Sequence, residues 1–168
     1  MRGAGKTTVG RLLAARLGRP FHDLDDLVLA HLGETSVRHV FERRSEQAWR
    51  RGEAEALEAF LRAPQPPAVI ALGGGAPLVE AVRSGLETAR REGRVRVVLL
   101  DCGATVSAER LARDPGDRSS LTGQGLLAEL EDLARRRRPV YARLADATVG
   151  AERSAPDEIA GAIVALVR

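Results

Sequence analysis

Gly3-Ala4-Gly5-Lys6-Thr7-Thr8 runs without a break into apolar residues at Val9, Leu12, Leu13 and Leu17, the spacing of one helix face. A glycine turn opening a helix aims backbone N–H groups and the positive end of the helix dipole at one point, which suits an anion. Lys6 is the only lysine among 26 Lys and Arg residues. A compact ammonium on a flexible stem reaches into such a cradle and bridges phosphate oxygens, where a planar guanidinium is too wide. The run matches the back half of the phosphate-binding pattern G-x-x-x-x-G-K-[ST], with Lys6 on the β/γ-phosphates and the Thr7 hydroxyl on Mg2+. Counting back from Gly5, the first glycine of that pattern falls just ahead of Met1.

The rest of the chain supplies the layers such a turn needs. Short apolar runs at Pro20 to Leu24, Ala68 to Leu72, Val95 to Leu100 and Ala147 to Val149 read as strands. Between them, helical spacing covers 27–32, a short stretch from Ser36, 45–61, 77–91, 104–113 and 126–144, with 156–167 closing the chain. Pro139 is expected to end or kink the penultimate helix. Strands alternating with helices imply a parallel sheet covered on both faces. Asp114 to Gly125 is polar and glycine-containing and reads as a mobile loop. No linker or repeat divides the 168 residues, so one domain is expected.

Composition excludes several function classes. Aromatics make up 3%, too few for a base-stacking platform, and the net charge is only +3 despite the pI near 9.9, so no nucleic acid is expected. No apolar run is long enough to span a bilayer. Cys102 stands alone, which rules out an intrachain disulfide and fits a reducing cytoplasm.

Further candidate residues cluster at strand ends. Asp23 and Asp25 lie two apart, so on a strand both face one way, towards the ligand crevice at the carboxyl edge of a parallel sheet. The competing possibility, that Asp25 or Asp26 starts the next helix, is equally open. Gly73-Gly74-Gly75 after a buried strand permits close approach of a small ligand to backbone, or is a plain turn. Arg50 and Arg51 follow Trp49 in a helix, where an arginine pair is usually solvated. Four arginines, Arg135 to Arg138, circle a helix; most must face solvent, and one is placed to clamp a carboxylate bidentately. Arg118, in the polar loop, can swing in on a transferring phosphoryl group. His22, His31 and His39 have no metal-ligand spacing with Cys102 and read as structural or surface residues.

Together, GAGKTTVGRLLA, FHDLD, WRRGE, LGGGA, DRSSL and RRPVYARLAD, in this order and spacing, resemble the shikimate kinase family over essentially the whole chain. The resemblance implies a P-loop NTPase fold, three-layer α/β/α like the nucleoside-monophosphate kinases, with a parallel sheet ordered 2-3-1-4-5. It also implies transfer of the γ-phosphoryl of ATP to the shikimate 3-hydroxyl with Mg2+, in aromatic amino-acid biosynthesis. Carried over residue by residue, Gly3, Ala4, Gly5, Lys6, Thr7 and Thr8 hold ATP phosphates. Thr7, and Asp23 through water, serve Mg2+. Asp25 binds the acceptor hydroxyls and assists deprotonation. Arg50 and Arg137 grip the substrate carboxylate, and the Gly74 backbone contacts shikimate. Arg118 reaches the phosphates, and either Arg110 or Arg113 lies against adenine. The family's partners are the small molecules shikimate and ATP, and a cytoplasmic monomer is expected.

Three departures stand out. Ser119 follows Arg118 where the family usually has proline, and Gly52 lies inside a helix at a cost of about 1 kcal/mol against Ala. The central first strand and the first loop glycine are absent, so Met1 is expected to be internal to a longer chain. Two other readings compete: a related kinase such as gluconate kinase, and a ligand-sensing domain of a longer transcription regulator. The glycine triplet and the Arg137 stretch argue against the first, and joint retention of Asp25, Arg50, Arg118 and Arg137 against the second.

Overall fold

Helix ends sit where the capping chemistry puts them. The computed structural model describes residues 3–64, 66–113 and 125–167. α1 spans Lys6–Leu17, β1 Phe21–Asp23, α2 Leu24–Leu32, α3 Val37–Arg43 and α4 Glu46–Arg62. β2 spans Val69–Ala71, followed by a 3-10 turn at Ala76–Leu78 and by α5, Glu80–Arg91. β3 is Val98–Asp101, α6 Ala104–Arg113, α7 Leu126–Leu144, β4 Ala147–Gly150 and α8 Pro156–Val167. Ser36 and Ser45 cap α3 and α4 by accepting from the His39 and Ala48 N–H groups at 3.2 and 3.1 Å. Among the described residues no helix is long and apolar enough to cross a membrane.

The expected elements are all present, with three corrections. α1 starts at Lys6, directly on the glycine turn, rather than at Val9. The segment expected as one helix over 77–91 divides, because Val79 adopts an extended backbone between the 3-10 turn and α5. α7 runs straight through Pro139. A helix-interior proline costs about 3 kcal/mol, and tertiary anchors on either side of it oppose a break. Arg137 Nη1 donates to the Gly74 carbonyl at 3.0 Å, Arg138 to Asp101 at 2.8 Å, and Tyr141 Oη to Gly74 at 2.5 Å.

Among the described residues the four strands form two parallel pairs rather than one sheet. Phe21, His22 and Asp23 of β1 register with Val69, Ile70 and Ala71 of β2. Val98 to Asp101 of β3 register with Ala147 to Gly150 of β4. These pairs correspond to the two flanks of the order expected from the resemblance. β2 and β3 point the same way. Neighbouring Arg137 and Arg138 reach the carboxyl ends of both strands, while Arg94, ahead of β3, donates to the Leu61 carbonyl ahead of β2. Between them lies a groove of about 740 Å3.

The core is divided in the same way. Leu24, Val28, Trp49, Leu57, Leu86 and Leu144 form one buried cluster beside β1 and β2. Val9, Leu13, Cys102, Ile159 and Ile163 form the other, beside β3 and β4. Gly52 has a packing reason: a Cβ there would lie 3.0 Å from Val28 and 3.3 Å from Leu32, so a side chain would have to displace one of them where α2 and α4 meet.

Candidate active site

Phosphate-side residues gather at the carboxyl ends of the strands. Gly5 caps α1 in the left-handed region, at φ 83°, which favours glycine. Thr7 Oγ1 donates to Asp23 Oδ2 at 2.9 Å, and Asp23 Oδ1 accepts from the Asp25 N–H at 3.1 Å. Lys6 lines the same groove as Gly73 and Gly74. Arg110 is held by the Ala151 carbonyl at 2.7 Å and Cys102 Sγ at 3.7 Å, and its guanidinium stands near Gly5. Arg113 is exposed.

Across the glycine triplet sits a second cluster. α4 buries Trp49, Gly52, Glu53, Ala56 and Leu57 on one face, which turns Arg50 sideways along the strand ends. Arg50 donates to Glu53 at 2.9 Å and to Glu46 at 3.0 Å. Its guanidinium lies so close to Gly75 that a side chain there would collide with it. Glu53 is 1% exposed, and burial pushes its carboxyl above the ordinary range, opposed by the Arg50 hydrogen bond. A Cβ on Gly73 would lie 2.7 Å from Asp25 Oδ1 and 3.3 Å from Glu53 Oε1, so both carboxylates close on one backbone position. Burial likewise raises the Tyr141 hydroxyl, which stays a neutral donor to Gly74.

A cationic pair, Arg50 and Arg137, and the Asp25 carboxylate thus border a glycine turn, with a lysine-bearing helix N-terminus beside them. That arrangement suits an acceptor carrying both a carboxylate and hydroxyls, next to a phosphate donor. A family model described as shikimate kinase matches residues 2–168. The chain belongs to the shikimate kinase family. It is 38% identical to shikimate kinase 2 of Yersinia enterocolitica over 94% of this chain and 86% of that protein. It is 40% identical to the shikimate kinase of Symbiobacterium thermophilum, over 96% and 89%. The structure of Acinetobacter baumannii shikimate kinase in complex with shikimate superposes with a TM-score of 0.85 at 33% identity, covering 98% of this chain and 87% of that one. The Bacteroides thetaiotaomicron shikimate kinase gives 0.82 at 27% identity, covering 98% and 93%.

Set against the family pattern, the sequence expectations fare unevenly. Asp23 and Asp25 do not share a strand: Asp23 ends β1 and caps α2, and Asp25 lies in the first helical turn. The helix-start alternative is the observed one, and the carboxylates divide between Thr7 and Gly73 as a result. Arg50 is half-buried and paired rather than solvated, whereas Arg51 is exposed. Of the arginine run, Arg137 turns to the Gly74 carbonyl and Arg138 to Asp101 at the end of β3; Arg135 and Arg136 pair with Asp132 on the surface. Gly74 contributes through its carbonyl in this structure. Arg118, Ser119 and the polar loop at 114–124 lie outside the described residues. Sequence reasoning assigned no role to Glu53 or Tyr141. The WRRGE and RPVY stretches contained both, and the Arg50-to-Glu53 spacing of neighbours on a helix was the available signal for the first.

Proposed function

We propose that this protein is a shikimate kinase in which the residues described above divide the work. Lys6 and the Gly3 to Thr8 backbone hold the ATP phosphates, and Arg110, rather than the exposed Arg113, borders the nucleotide. Arg50 and Arg137 fork the shikimate carboxylate. Asp25 orients the ring hydroxyls and takes the proton of the attacking 3-hydroxyl as its oxygen bonds to the γ-phosphorus. The bond to the β,γ-bridging oxygen breaks, and ADP leaves. Arg118 is assigned to the phosphates from the family pattern.

Thr7 and Asp23 fit Mg2+: a hydroxyl and a carboxylate 2.9 Å apart at the phosphate end of α1 are hard oxygen donors. Such an ion keeps several waters and takes its remaining ligands from phosphates. When bound it neutralises charge developing on the phosphates. The observation that carries this reading is the convergence of Asp25, Arg50 and Arg137 on the glycine triplet beside Lys6.

The test uses Trp49, the only tryptophan, buried and adjacent to Arg50. Shikimate should change its fluorescence saturably and gluconate should not. ADP release from ATP and Mg2+ should require shikimate. A response to gluconate, or ADP release indifferent to shikimate in a protein that binds ATP, would overturn the assignment.

A further inference from the structure

Arg50 divides its donors between two glutamates of its own helix, and the two are not equivalent. Nη1 donates to Glu53 at 2.9 Å, and that carboxylate is 1% exposed. Nη2 and Nε donate to Glu46 at 3.0 and 3.3 Å, and Glu46 is 66% exposed. The Glu53 bond is buried and the guanidinium lies hard against Gly75, so Arg50 keeps its direction without Glu46. What Glu46 covers is the Nε–Nη2 edge, a side of the guanidinium that takes a planar carboxylate by two parallel bonds. It covers that edge poorly. Both bonds end on one oxygen, Oε1, and both are longer than the about 2.7–2.9 Å of a good charge-assisted hydrogen bond.

We propose that Glu46 is a place-holder for the acceptor's carboxylate: it occupies the Nε–Nη2 edge of Arg50 until that carboxylate takes the edge over, and so sets the affinity for shikimate. The inference rests on the shikimate kinase reading, which supplies the acceptor. A half-buried guanidinium left without an acceptor on one edge is costly. Glu46, one helical turn ahead of Arg50 at the start of α4, supplies one. Its carboxylate is exposed, so it returns to water at little cost when displaced. The incoming carboxylate brings two oxygens to an edge that Glu46 serves with one. Exchange therefore favours the ligand, but each binding event must first break the Glu46 contact. Glu53 and Glu46 thus act in opposite directions on one arginine: the first holds it in place, and the second competes for it.

The experiment titrates shikimate, followed by Trp49 fluorescence, into the full chain and into Glu46→Gln, Glu46→Ala and Glu58→Gln. Glu58 pairs with Arg62 on the same helix at the same spacing. It stands about 18 Å further along the axis, so its loss removes the same charge and the same kind of pair beyond a Debye length. Both Glu46 variants should bind shikimate about two- to fivefold more tightly, the scale of an exposed ion pair. The gain should appear in the KM for shikimate and not in ATP affinity, and Glu58→Gln should bind like the parent. Unchanged or weaker shikimate binding in a folded Glu46 variant would overturn the inference. So would an equal gain in Glu58→Gln, which would reduce the effect to net charge, or an equal gain for ATP. A parent chain that gives no shikimate response refutes the kinase reading and this inference with it, whereas a parent that binds shikimate as tightly as both Glu46 variants refutes this inference alone.

Discussion

The acceptor side and the phosphate side of the site differ in how they are held. On the acceptor side, Arg50, Glu53 and Glu46 interlock within α4, while Arg137 and Tyr141 bind Gly74 from α7, 63 and 67 residues away in sequence. The phosphate side has Thr7 on Asp23, Gly3 against Ser107, and an open groove in front of Lys6. On the proposed assignment, recognition of the acceptor rests on pairs already closed within residues 25–141. On that assignment the link between the two sides is Asp23, which accepts from Thr7 Oγ1 and from the Asp25 N–H.

Four measurements can break or sharpen this contrast. Lys6→Arg keeps the charge and changes its shape, so turnover should drop by roughly 100- to 1,000-fold, the scale of losing one transition-state donor. Shikimate affinity, read from Trp49, should hold. A parallel loss of shikimate binding would mean the halves are not independent. Arg137→Ala should act in reverse, weakening shikimate by roughly 100-fold, near the 1.5–3 kcal/mol of a charged hydrogen bond, and leaving ATP affinity unchanged. Equal losses for both ligands would refute the division.

Glu53→Gln is expected to raise the KM for shikimate about 10-fold with little change for ATP, because Arg50 loses its buried ionic partner. The Glu53 carboxyl is raised by burial, so as pH falls it takes up its proton earlier than an ordinary glutamate and releases Arg50. Shikimate affinity should therefore decline from the acid side in the parent and be flatter in Glu53→Gln. Identical profiles would remove Glu53 from the site. The smallest effect lies away from both halves, at Asp146, which accepts from Arg90 and from Val97 N–H ahead of β3. The Arg90 hydrogen bond holds its carboxyl below 3.8. Its stabilisation is present above that value and lost as pH falls through the lower folded value. After solvent screening, Asp146→Asn should cost about 0.5–1 kcal/mol at neutral pH, seen in urea unfolding, and no more. A larger loss would place a support of the β3 half where none is expected.

Element types and the family were legible in the sequence because the first rest on local spacing and the second on motifs in a fixed order. What escaped depended on distant partners. Tyr141 has a role only because α7 crosses the glycine triplet, and no periodicity reports a helix crossing. Pro139 follows the same logic: its local cost is real, and the anchors that oppose it come from the glycine triplet after β2 and from β3. The Asp23–Asp25 pattern fits a strand and a helix cap equally well in a three-residue strand, and the cap prevailed because Asp23 accepts the Asp25 N–H.

The doubly used carbonyl of Gly74 has a consequence for how an anion is admitted. Arg137 rests on it at 3.0 Å, pre-aligned and partly out of water, beside a second donor that stays when the first departs. An anion that draws Arg137 across leaves no stranded acceptor behind, because Tyr141 keeps the carbonyl occupied. On the proposed assignment the arginine would move from one partner to another rather than from solvent into the protein, with the Gly74 carbonyl still held by Tyr141.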